Sequence, residues 1–397
     1  MDSYFDSTDS RFRLYQGDTM QLLEECDETF DMIFADPPYF LSTGFTLKSG
    51  NRSKCFDKGE WDRARPIDEK DAFNMRWLSL CRRRLKESGT IWVTGTYHNI
   101  YSVANCMVRL GYKILNVVVW QKPDAPFTLS YKHFNFSAEY ILWARKQKSV
   151  IHYFNYDLMT QLNGGRRMPD VWSIPIVEQW EKHCGKHPTQ KPLRLLHRII
   201  LASTQPEEKI LDPFAGSCTT GVAATLLDRQ FVGFDQDEGY LDLGRKRYME
   251  IMQPAIVRRM LRKLNENPLE TMVMVNHARS ELKAKMISEG ICYLRAGDSK
   301  GSLLVRPGFE RLQYVLLHTG GEDCHMFRLK SKGCFQIWTV DTLREHGFTP
   351  EHAPYYVVLL FDNSHEVKLK KCPQLHQGQN TYVAKIRPLS EFRIEDR

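Results

Sequence analysis

The first 120 residues alternate short apolar runs with amphipathic stretches. Apolar and polar positions alternate over residues 11–17 and predict a strand, and Thr19–Glu25 predicts a helix with Asp18 as its N-cap. Phe30–Ala35 is mostly apolar and predicts a strand that is buried in a parallel sheet. A strand, a helix and a second buried strand form the βαβ unit from which parallel sheets are built.

The same alternation continues further along the chain. We predict helices over residues 70–87, 99–109 and 193–204, and strands over residues 90–95, 114–120 and 231–235. Gly89 is expected to end the first of these helices. Regular periodicity fades between residues 121 and 185. The pattern predicts an α/β fold with a doubly wound, mostly parallel sheet.

Residues 265–397 follow a different pattern, in which strand-like runs dominate. We interpret this segment as a small α+β accessory domain of unknown role. Its histidines and cysteines lack the spacing of zinc ligands, so we predict no metal site. The expected domains are therefore residues 1–264 and 265–397.

Composition adds limits on class and compartment. The 397 residues suggest two or three domains, and 42% hydrophobic with 26% charged residues is typical of a chain with a large core. No apolar stretch of about 18 residues occurs, so no membrane span is expected. The acidic N-terminus lacks an apolar signal region, and the ten scattered cysteines contain no CxxC pair. We therefore expect a cytoplasmic protein with reduced thiols.

The net charge of +7 permits nucleic-acid binding without arguing for it. Seven basic residues fall between Arg245 and Lys263, with Glu250 as the one acid. Such a run is equally consistent with a solvated helix face and with contacts to phosphates. Aromatic residues interleave with Arg and Lys over residues 121–185, a composition that suits contacts to bases and backbone. Part of that segment must instead form a local core.

The first candidate site is the tetrapeptide Asp36–Tyr39, directly after the predicted strand Phe30–Ala35. Pro37 and Pro38 restrict the backbone and remove two N–H donors, and an aromatic ring follows at Tyr39. The carboxyl end of a parallel strand is where open α/β sheets place ligands. A carboxylate beside an outward carbonyl would accept the two hydrogens of an exocyclic amine, and Tyr39 could stack on an extruded base. Taken alone, these residues are better explained by a plain Asp-Pro-Pro turn, and the rest of the chain changes that balance.

The long polar segment 41–70 follows this corner, and we expect a lid that contacts nucleic acid there.

The second candidate site lies in the compact unit 209–221, where Gly216 and Gly221 flank a tight loop. The spacing lacks the central glycine of a dinucleotide site and the lysine of a P-loop. Asp235 ends the next predicted strand, about twenty residues beyond the first glycine, where βαβ nucleotide sites place a carboxylate on ribose hydroxyls. An adenosine cofactor without phosphates fits this combination, and S-adenosylmethionine is such a cofactor.

These motifs together make the chain resemble the β-class amino-group DNA methyltransferases. The catalytic motif at residues 35–42, the aromatic and basic segment, the motif at residues 186–192 and the glycine loop at residues 212–221 stand in that family's order. The similarity is greatest to the DpnII-type and HinfI-type adenine methyltransferases, through those motifs and residues 120–122 and 141–143. Cys218 departs from the glycine that many relatives have at this position. The resemblance covers about residues 1–260.

The resemblance implies a Rossmann-like class I methyltransferase domain with permuted motifs. Its catalytic half would span residues 1–120, its target-recognition region about 121–185 and its cofactor-binding half 186–264. The implied catalytic residues are Asp36, Pro37, Pro38 and Tyr39. The implied cofactor-binding residues are Asp18, Phe34, Asp36, Thr189, Lys191, Asp212, Phe214, Gly216, Thr219, Thr220 and Asp235.

Among these, Asp18 would lie near the cofactor's adenine and Asp235 on its ribose hydroxyls. Thr189 and Lys191 would contact its carboxylate tail.

The function implied is methyl transfer from S-adenosylmethionine to adenine N6 in a short sequence of double-stranded DNA, with GATC as the best candidate sequence. Transfer to cytosine N4 is a first alternative, disfavoured by Asp36 because cytosine-specific relatives often have serine there. A catalytically silent DNA-binding module is a second alternative. The expected partners are DNA, a homodimeric second copy and a restriction endonuclease acting on the same sequence, with no membrane.

Overall fold

The structure is a computed structural model, and it describes residues 2–41, 46–49, 52–55, 62–125, 132–163, 166–177, 179–182, 184–252, 272–295, 297–298, 301–302, 312–320, 323–330, 335–350, 353, 355–371 and 385–394. The chain forms two compact units. The first comprises residues 1–155, 169–225 and 229–248, and the second comprises residues 156–168, 226–228 and 249–397. The boundary predicted at residues 264 and 265 lies outside the described residues.

The first unit is built on a nine-stranded sheet accompanied by a short hairpin. The sheet strands are β1 (Phe5–Asp6), β2 (Phe12–Gln16), β3 (Phe30–Ala35), β6 (Leu85–Gly95), β7 (Lys113–Gln121), β8 (Ala138–Arg145), β9 (Val171–Ser173), β10 (Lys209–Asp212) and β11 (Gln230–Asp235), and the hairpin strands are β4 (Thr46–Ser49) and β5 (Arg52–Cys55). The helices are α1 (Thr19–Glu25), α2 (Ile67–Arg84), α3 (Ile100–Arg109), α5 (Leu193–Ser203), α6 (Thr219–Leu226) and α7 (Glu238–Met252), the last two ending at the unit boundary.

The strand order is β1-β2-β11-β10-β3-β6-β8-β7-β9. Five described pairings are parallel, and the three antiparallel pairings involve β1 or β8. The prediction of an α/β, mostly parallel sheet is therefore confirmed. The order places β10 and β3 side by side, with their carboxyl ends on the same edge.

Helices cover both faces of the sheet, as the alternation of side chains along the strands requires. Ile33 and Val93 point into the core that contains the buried residues of α1, α2 and α3. Trp92 points to the opposite face, where its indole N–H donates to the Ser203 hydroxyl at the end of α5. Trp92 also stacks on Trp143 with ring centroids 4.8 Å apart. Burial on both faces explains why these strands read as apolar runs.

Two predictions about the middle of the chain need correction. The helix expected over residues 70–87 spans Ile67–Arg84 instead, and Gly89 lies inside β6 rather than ending the helix. A Cβ at Gly89 would come within 3.1 Å of the carbonyl oxygens of Lys86 and Phe30, so close backbone approach explains the glycine.

Two strands also come from the segment 121–185, which lacked visible periodicity. β8 lies between β6 and β7 and is antiparallel to both, and β9 pairs with β7. Ile141 and Leu142 are buried in the sheet. A continuous apolar run carries no periodicity of its own, and a short one is ambiguous without its tertiary partners.

The second unit contains a seven-stranded mixed sheet and three described helices, which agrees with a small α+β module. Its strands are β12 (Met272–His277), β13 (Ile291–Arg295), β16 (Leu312–His318), β17 (Cys324–Leu329), β18 (Phe335–Thr339), β19 (Tyr355–Val367) and β20 (Lys385–Pro388), with a separate hairpin of β14 (Gly297–Asp298) and β15 (Gly301–Ser302). Its helices are α4 (Tyr156–Leu162), α8 (Ser280–Glu289) and α9 (Val340–Glu345). Val273, Leu316 and Met326 lie in its core.

Two further expectations concern the cysteines and the membrane. Six cysteines in the described residues carry free thiols. Cys324 is disulfide-bonded, so the expectation of reduced thiols is wrong for that residue. No helix among the described residues has the length and apolar character needed to span a bilayer.

Candidate active site

The carboxylate of Asp36 lies at the carboxyl end of β3 and is held by three side chains. Its Oδ1 atom accepts hydrogen bonds from the hydroxyls of Thr94 at 2.5 Å and Tyr39 at 2.7 Å. Its Oδ2 atom accepts from the Lys191 ammonium at 2.5 Å. Thr94 is placed by β6, the parallel neighbour of β3, whereas Lys191 comes from the segment before α5. Adjacent strands and a distant loop thus converge on one carboxylate.

A second carboxylate, Glu139 of β8, completes a buried ionic network around Asp36. Glu139 Oε2 lies 3.8 Å from Lys191 Nζ and 3.4 Å from the Tyr39 hydroxyl. Its Oε1 atom pairs with the Lys122 ammonium. Lys191 is only 6% exposed, so both partners are needed to offset the cost of burying its charge. The network contains two carboxylates and two ammonium groups.

This network sets the protonation of its members. Burial alone would raise the pKa of Asp36, but the charge and hydrogen bond of Lys191, with the two hydroxyls, bring that pKa below its ordinary value. Burial would lower the pKa of Lys191, yet Asp36 and Glu139 raise it. Burial and the neighbouring carboxylates raise the pKa of Tyr39 well above its ordinary value. At neutral pH, Asp36 is therefore an anion, Lys191 a cation and Tyr39 a neutral hydrogen-bond donor.

The neighbouring strand β10 ends in a second Asp-Pro pair with different surroundings. Asp212 accepts a hydrogen bond from the Thr220 hydroxyl at 2.6 Å and another from the Phe214 backbone N–H at 3.1 Å. Neither the hydroxyl nor the N–H group carries a positive charge. Burial is the main reason that the pKa of Asp212 is raised to about 7. The carboxyl holds the loop that follows β10 rather than presenting a fixed charge.

The glycine loop is fastened to the end of β11. Asp235 Oδ2 accepts a hydrogen bond from the Gly216 N–H at 2.8 Å, and Asp235 Oδ1 accepts one from the Asp237 N–H at 2.9 Å. Gly216 has φ +49°, and a Cβ there would lie 3.0 Å from His187 Nε2. Both the backbone conformation and the space therefore require glycine. Burial raises the pKa of Asp235.

Cys218, the departure from the family pattern, is accommodated by a glycine on α7. Cys218 adopts φ +55° and is fully buried. A Cβ at Gly244 would lie 2.2 Å from Cys218 Sγ and 2.8 Å from Cys218 Cβ. The thiol thus occupies the space that any larger residue at position 244 would need.

A cavity of about 510 Å³ opens beside Asp36, Gly216 and Asp235, and its size is that of a small-molecule site. It is lined by residues 17–20, 36, 38, 65, 73, 187, 189, 214, 216, 234–237 and 240. The predicted site residues among them are Asp18, Asp36, Pro38, Thr189, Phe214, Gly216 and Asp235. The lining thus brings two catalytic candidates, Asp36 and Pro38, together with the glycine loop and Asp235.

The other predicted site residues lie outside this lining. Pro37 and Tyr39 belong to the catalytic corner, and Phe34 is buried in β3. Thr220 holds Asp212, and Thr219 accepts from the Arg247 guanidinium at 2.8 Å. Phe34, Lys191, Asp212, Thr219 and Thr220 do not line this cavity, and their contacts with a cofactor stay a prediction.

His187 is a lining residue to which sequence analysis assigned no role. Its Nδ1 accepts from the Thr189 N–H at 3.3 Å, and its ring lies edge-on to Tyr240 with centroids 4.3 Å apart. Burial lowers the pKa of His187 to about 4, so its ring is neutral at physiological pH. The hydrogen bond to Nδ1 leaves the proton on Nε2, beside Gly216.

Thr94 and Glu139 were also missed. Thr94 lies in a predicted strand, and Glu139 directly precedes the apolar run that forms the core of β8. An isolated carboxylate before an apolar run is a weak signal, and only the position of β8 beside β6 gives it meaning.

The aromatic and basic segment divides into core and surface residues. Trp172 is buried in the sheet core, whereas Phe134 is 94% exposed. The half-exposed Phe136 stacks on Tyr97 with ring centroids 5.6 Å apart, and the His133 ring lies 4.9 Å from that of Phe136. Tyr97 follows the end of β6, the strand that supplies Thr94. Phe127, Tyr131 and parts of segment 41–70 lie outside the described residues.

The first part of the basic run has structural partners. Arg245 and Lys246 form ion pairs with Asp242 on the same helix. Arg247 is buried and donates to the Ser217 carbonyl oxygen of the glycine loop. These contacts favour the helix interpretation for this part of the run, and Arg258–Lys263 lies outside the described residues.

Comparison with known proteins gives a family model and several relatives. A family model described as a DNA methylase, for N6 and N4 methyltransferases, matches residues 30–246. The Type II methyltransferase M2.MboI of Moraxella bovis is 48% identical over 250 residues, which cover 62% of this chain and 91% of that protein. M2.DpnII of Streptococcus pneumoniae is 50% identical over 59% of this chain and 88% of its own length. M.HinfI of Haemophilus influenzae is 37% identical over 60% of this chain and 68% of its own length.

Proposed function

Because the chain belongs to the DNA methylase family, matched over residues 30–246, we propose that it methylates adenine N6 at GATC in double-stranded DNA. The family makes the chain a DNA methyltransferase that uses S-adenosylmethionine. One observation supports the proposal beyond membership of the family. Asp36, the acceptor for an amine, lines the same cavity as the glycine loop and Asp235. A single cavity then serves the methyl donor and the reacting amine.

The lining residues fit S-adenosylmethionine by charge and shape. Four aspartates, Asp18, Asp36, Asp235 and Asp237, face one arginine, Arg65, in the cavity wall. An acidic lining suits a ligand that carries a sulfonium, an ammonium and ribose hydroxyls, and it disfavours a polyphosphate. The missing Cβ at Gly216 leaves room for the His187 ring, which lies beside the loop in the cavity wall.

We assign Asp235 to the ribose hydroxyls and Asp18 to the adenine. Thr189 and the loop Phe214–Gly216 would hold the amino-acid tail, because Lys191 is committed to Asp36. When bound, the cofactor supplies an electrophilic methyl group.

The residues of this chain would prepare the amine for that methyl. The ionised Asp36 accepts one amine hydrogen, which favours a pyramidal nitrogen with a localised lone pair. Pro37 and Pro38 supply no N–H donors, so neither competes for that lone pair. Asp36 also offers a base for the proton that the nitrogen must lose. Catalysis by such a site is mostly positional and electrostatic.

Adenine is favoured over cytosine by the aspartate at position 36, where cytosine-specific relatives often have serine. The resemblance to DpnII-type enzymes favours GATC as the recognition sequence. Exposed Phe134, with the stacked pair Tyr97 and Phe136, supplies aromatic surface for contact with DNA bases. The Type II names of the relatives support a companion endonuclease that acts on the same sequence.

The test is methylation-sensitive sequencing of DNA from methylase-free cells that express the chain. We expect N6-methyladenine at GATC, and resistance of the same DNA to a GATC-cutting nuclease that methylation blocks. Cells expressing an Asp36→Ala variant at equal level are the matched control and should give unmodified DNA. N4-methylcytosine would contradict the base assignment, and N6-methyladenine at another sequence would contradict GATC alone.

A further inference from the structure

The hydrogen bonds on Asp36 leave one acceptor position. Each oxygen of an ionised carboxylate offers about two lone-pair sites. Oδ1 accepts from Thr94 and Tyr39, whereas Oδ2 accepts from Lys191. Within the part of the chain that the structure describes, Oδ2 is therefore the atom with a vacant acceptor site. Lys191 fixes where that site points, because a charge-assisted bond from a buried ammonium holds the carboxylate in one rotamer.

Lys191 is itself held from the opposite side. Glu139 Oε2 lies 3.8 Å from Lys191 Nζ and 3.4 Å from the Tyr39 hydroxyl, and Glu139 also pairs with Lys122. The Lys191 ammonium lies over the Tyr39 ring, 5.4 Å from its centroid. Glu139 thus contacts both donors, Lys191 and Tyr39, that hold the two oxygens of Asp36.

We propose that Lys191 and Glu139 are positioning residues for methyl transfer, Lys191 by aiming and charging the Asp36 carboxylate and Glu139 by holding Lys191. The inference rests on the proposed function, because it requires that Asp36 accept the target amine. Lys191 keeps Asp36 ionised although Asp36 is buried. Glu139 draws part of the ammonium's charge away from Asp36, so that Oδ2 remains a good acceptor.

Other titratable groups also face Asp36. Asp212 on β10 and Asp36 each disfavour the ionised form of the other. His187 has a pKa lowered to about 4 by burial and is neutral over the working range. Tyr39 remains a neutral hydroxyl because its pKa is raised. Asp212, with a pKa near 7, is the one group besides Asp36 whose titration must be separated in an experiment.

The experiment is single-turnover methyl transfer to a GATC duplex at saturating cofactor, measured from pH 5.5 to 8.5. We compare wild type with Lys191→Met, Lys191→Arg and Glu139→Gln. Lys191→Met should slow the transfer about 10- to 100-fold, the scale of one lost charge-assisted hydrogen bond. It should also create a new loss of activity toward acid pH, since burial then raises the pKa of Asp36. Lys191→Arg keeps the charge and should restore the wild-type pH profile.

Glu139→Gln should act in the opposite sense on the pH profile. Removing a neighbouring negative charge stabilises the ionised Asp36. The acid limb should therefore lie at the same pH as in wild type or at a lower pH, while the rate falls. A role for Glu139 and Lys191 in folding alone would slow both variants without moving their acid limbs apart. Lys86→Met, which removes a lysine from its ion pair with Asp31 elsewhere in the same sheet, is the matched control and should leave rate and profile unchanged.

The double variant Asp212→Asn/Lys191→Met assigns the new acid limb. The acid limb persists if it reports the titration of Asp36 and disappears if it reports the titration of Asp212. Disappearance of the limb would overturn the inference. An unchanged profile in Lys191→Met would overturn it as well. Full activity of Asp36→Ala would instead overturn the proposed role of Asp36 in the reaction, so the two failures are distinguishable. If Lys191→Met does not fold, Glu139→Gln still tests the inference, because a wild-type rate or an acid limb shifted to higher pH in that variant would overturn it.

Discussion

Two adjacent parallel strands, β3 and β10, end in the same dipeptide, and the two aspartates have opposite chemistry. Asp36 is bound by an ammonium and two hydroxyls, and its pKa is lowered. Asp212 is bound by a hydroxyl and a backbone N–H, and burial raises its pKa to about 7. Both strands position an acid at the same edge of the sheet. The residue that packs against each acid, and not the local sequence, decides whether it is a fixed anion.

The comparison assigns different jobs to the two strand ends. Asp36 lines the cavity, whereas Asp212 is buried outside its lining and accepts a hydrogen bond from the loop that follows it. Substitutions at the two strand ends should therefore affect different steps, methyl transfer at Asp36 and cofactor binding at Asp212.

Removing the Asp36 carboxylate should have the largest effect. Asp36→Ala should reduce single-turnover methyl transfer by about 10²- to 10³-fold, the scale of one preorganised electrostatic contact, with cofactor affinity reduced only modestly. Asp212→Ala should show the reverse pattern, with weakened cofactor binding and a smaller effect on the chemical step. Calorimetric titration with S-adenosylmethionine beside tritiated methyl transfer separates the two. Equal effects on both quantities in both variants would remove the distinction between the strand ends.

Tyr39 should come next, through its ring more than its hydroxyl. Tyr39→Ala should weaken retention of the extruded base by about 1–3 kcal/mol, the usual contribution of aromatic stacking. Tyr39→Phe should retain much of the activity, with a loss of a few-fold because the hydroxyl no longer donates to Asp36 Oδ1. Fluorescence of 2-aminopurine at the target position reports extrusion. Equal loss in Phe and Ala variants would assign the effect to the hydroxyl instead.

The β10 end can be disturbed through packing alone. Gly244→Ala should cost about 1–3 kcal/mol, because its methyl group would overlap Cys218, and it should weaken cofactor binding by displacing the loop. Cys218→Gly vacates that space, so the double variant should regain stability and affinity. Lys86→Met, at a lysine that lies elsewhere in the same sheet and pairs with Asp31, is the control. Additive losses in the double variant would show that the two positions act independently.

The smallest expected effect is a pH slope in stability. The pKa of Asp212 rises from an ordinary 3.8 to about 7 in the folded chain, so the folded state holds this proton more tightly. The stabilisation is complete below the ordinary pKa and is lost as the pH rises through 7. The melting temperature of the cofactor-free protein should fall by several degrees from pH 5 to pH 8, at about 2–4 °C per kcal/mol. Asp212→Asn should flatten that slope, whereas Lys86→Met should not.

The sequence by itself determined the elements whose signals are local. Asp18 is the N-cap of α1, as predicted, and its Oδ1 accepts from the N–H groups of Met20 and Gln21. The strands ending at Ala35 and Asp235 were predicted at their observed carboxyl ends, because a buried strand followed by Asp-Pro or by a polar turn is visible in a few residues. The position of Asp36 after a buried strand also predicted a ligand site there, because open α/β sheets bind ligands at the carboxyl ends of their strands.

Only the tertiary structure decided which groups surround those acids. Lys191 meets Asp36 across 155 positions, and Glu139 reaches Lys191 and Tyr39 from a strand whose short apolar run showed no periodicity. Such pairings depend on which surfaces become buried together, and no property of either residue's neighbours in the chain encodes that. The same holds for Cys218 and Gly244, whose small side chains acquire meaning only in contact. A pKa likewise is a property of a packed environment, and so the difference between Asp36 and Asp212 arises only on folding.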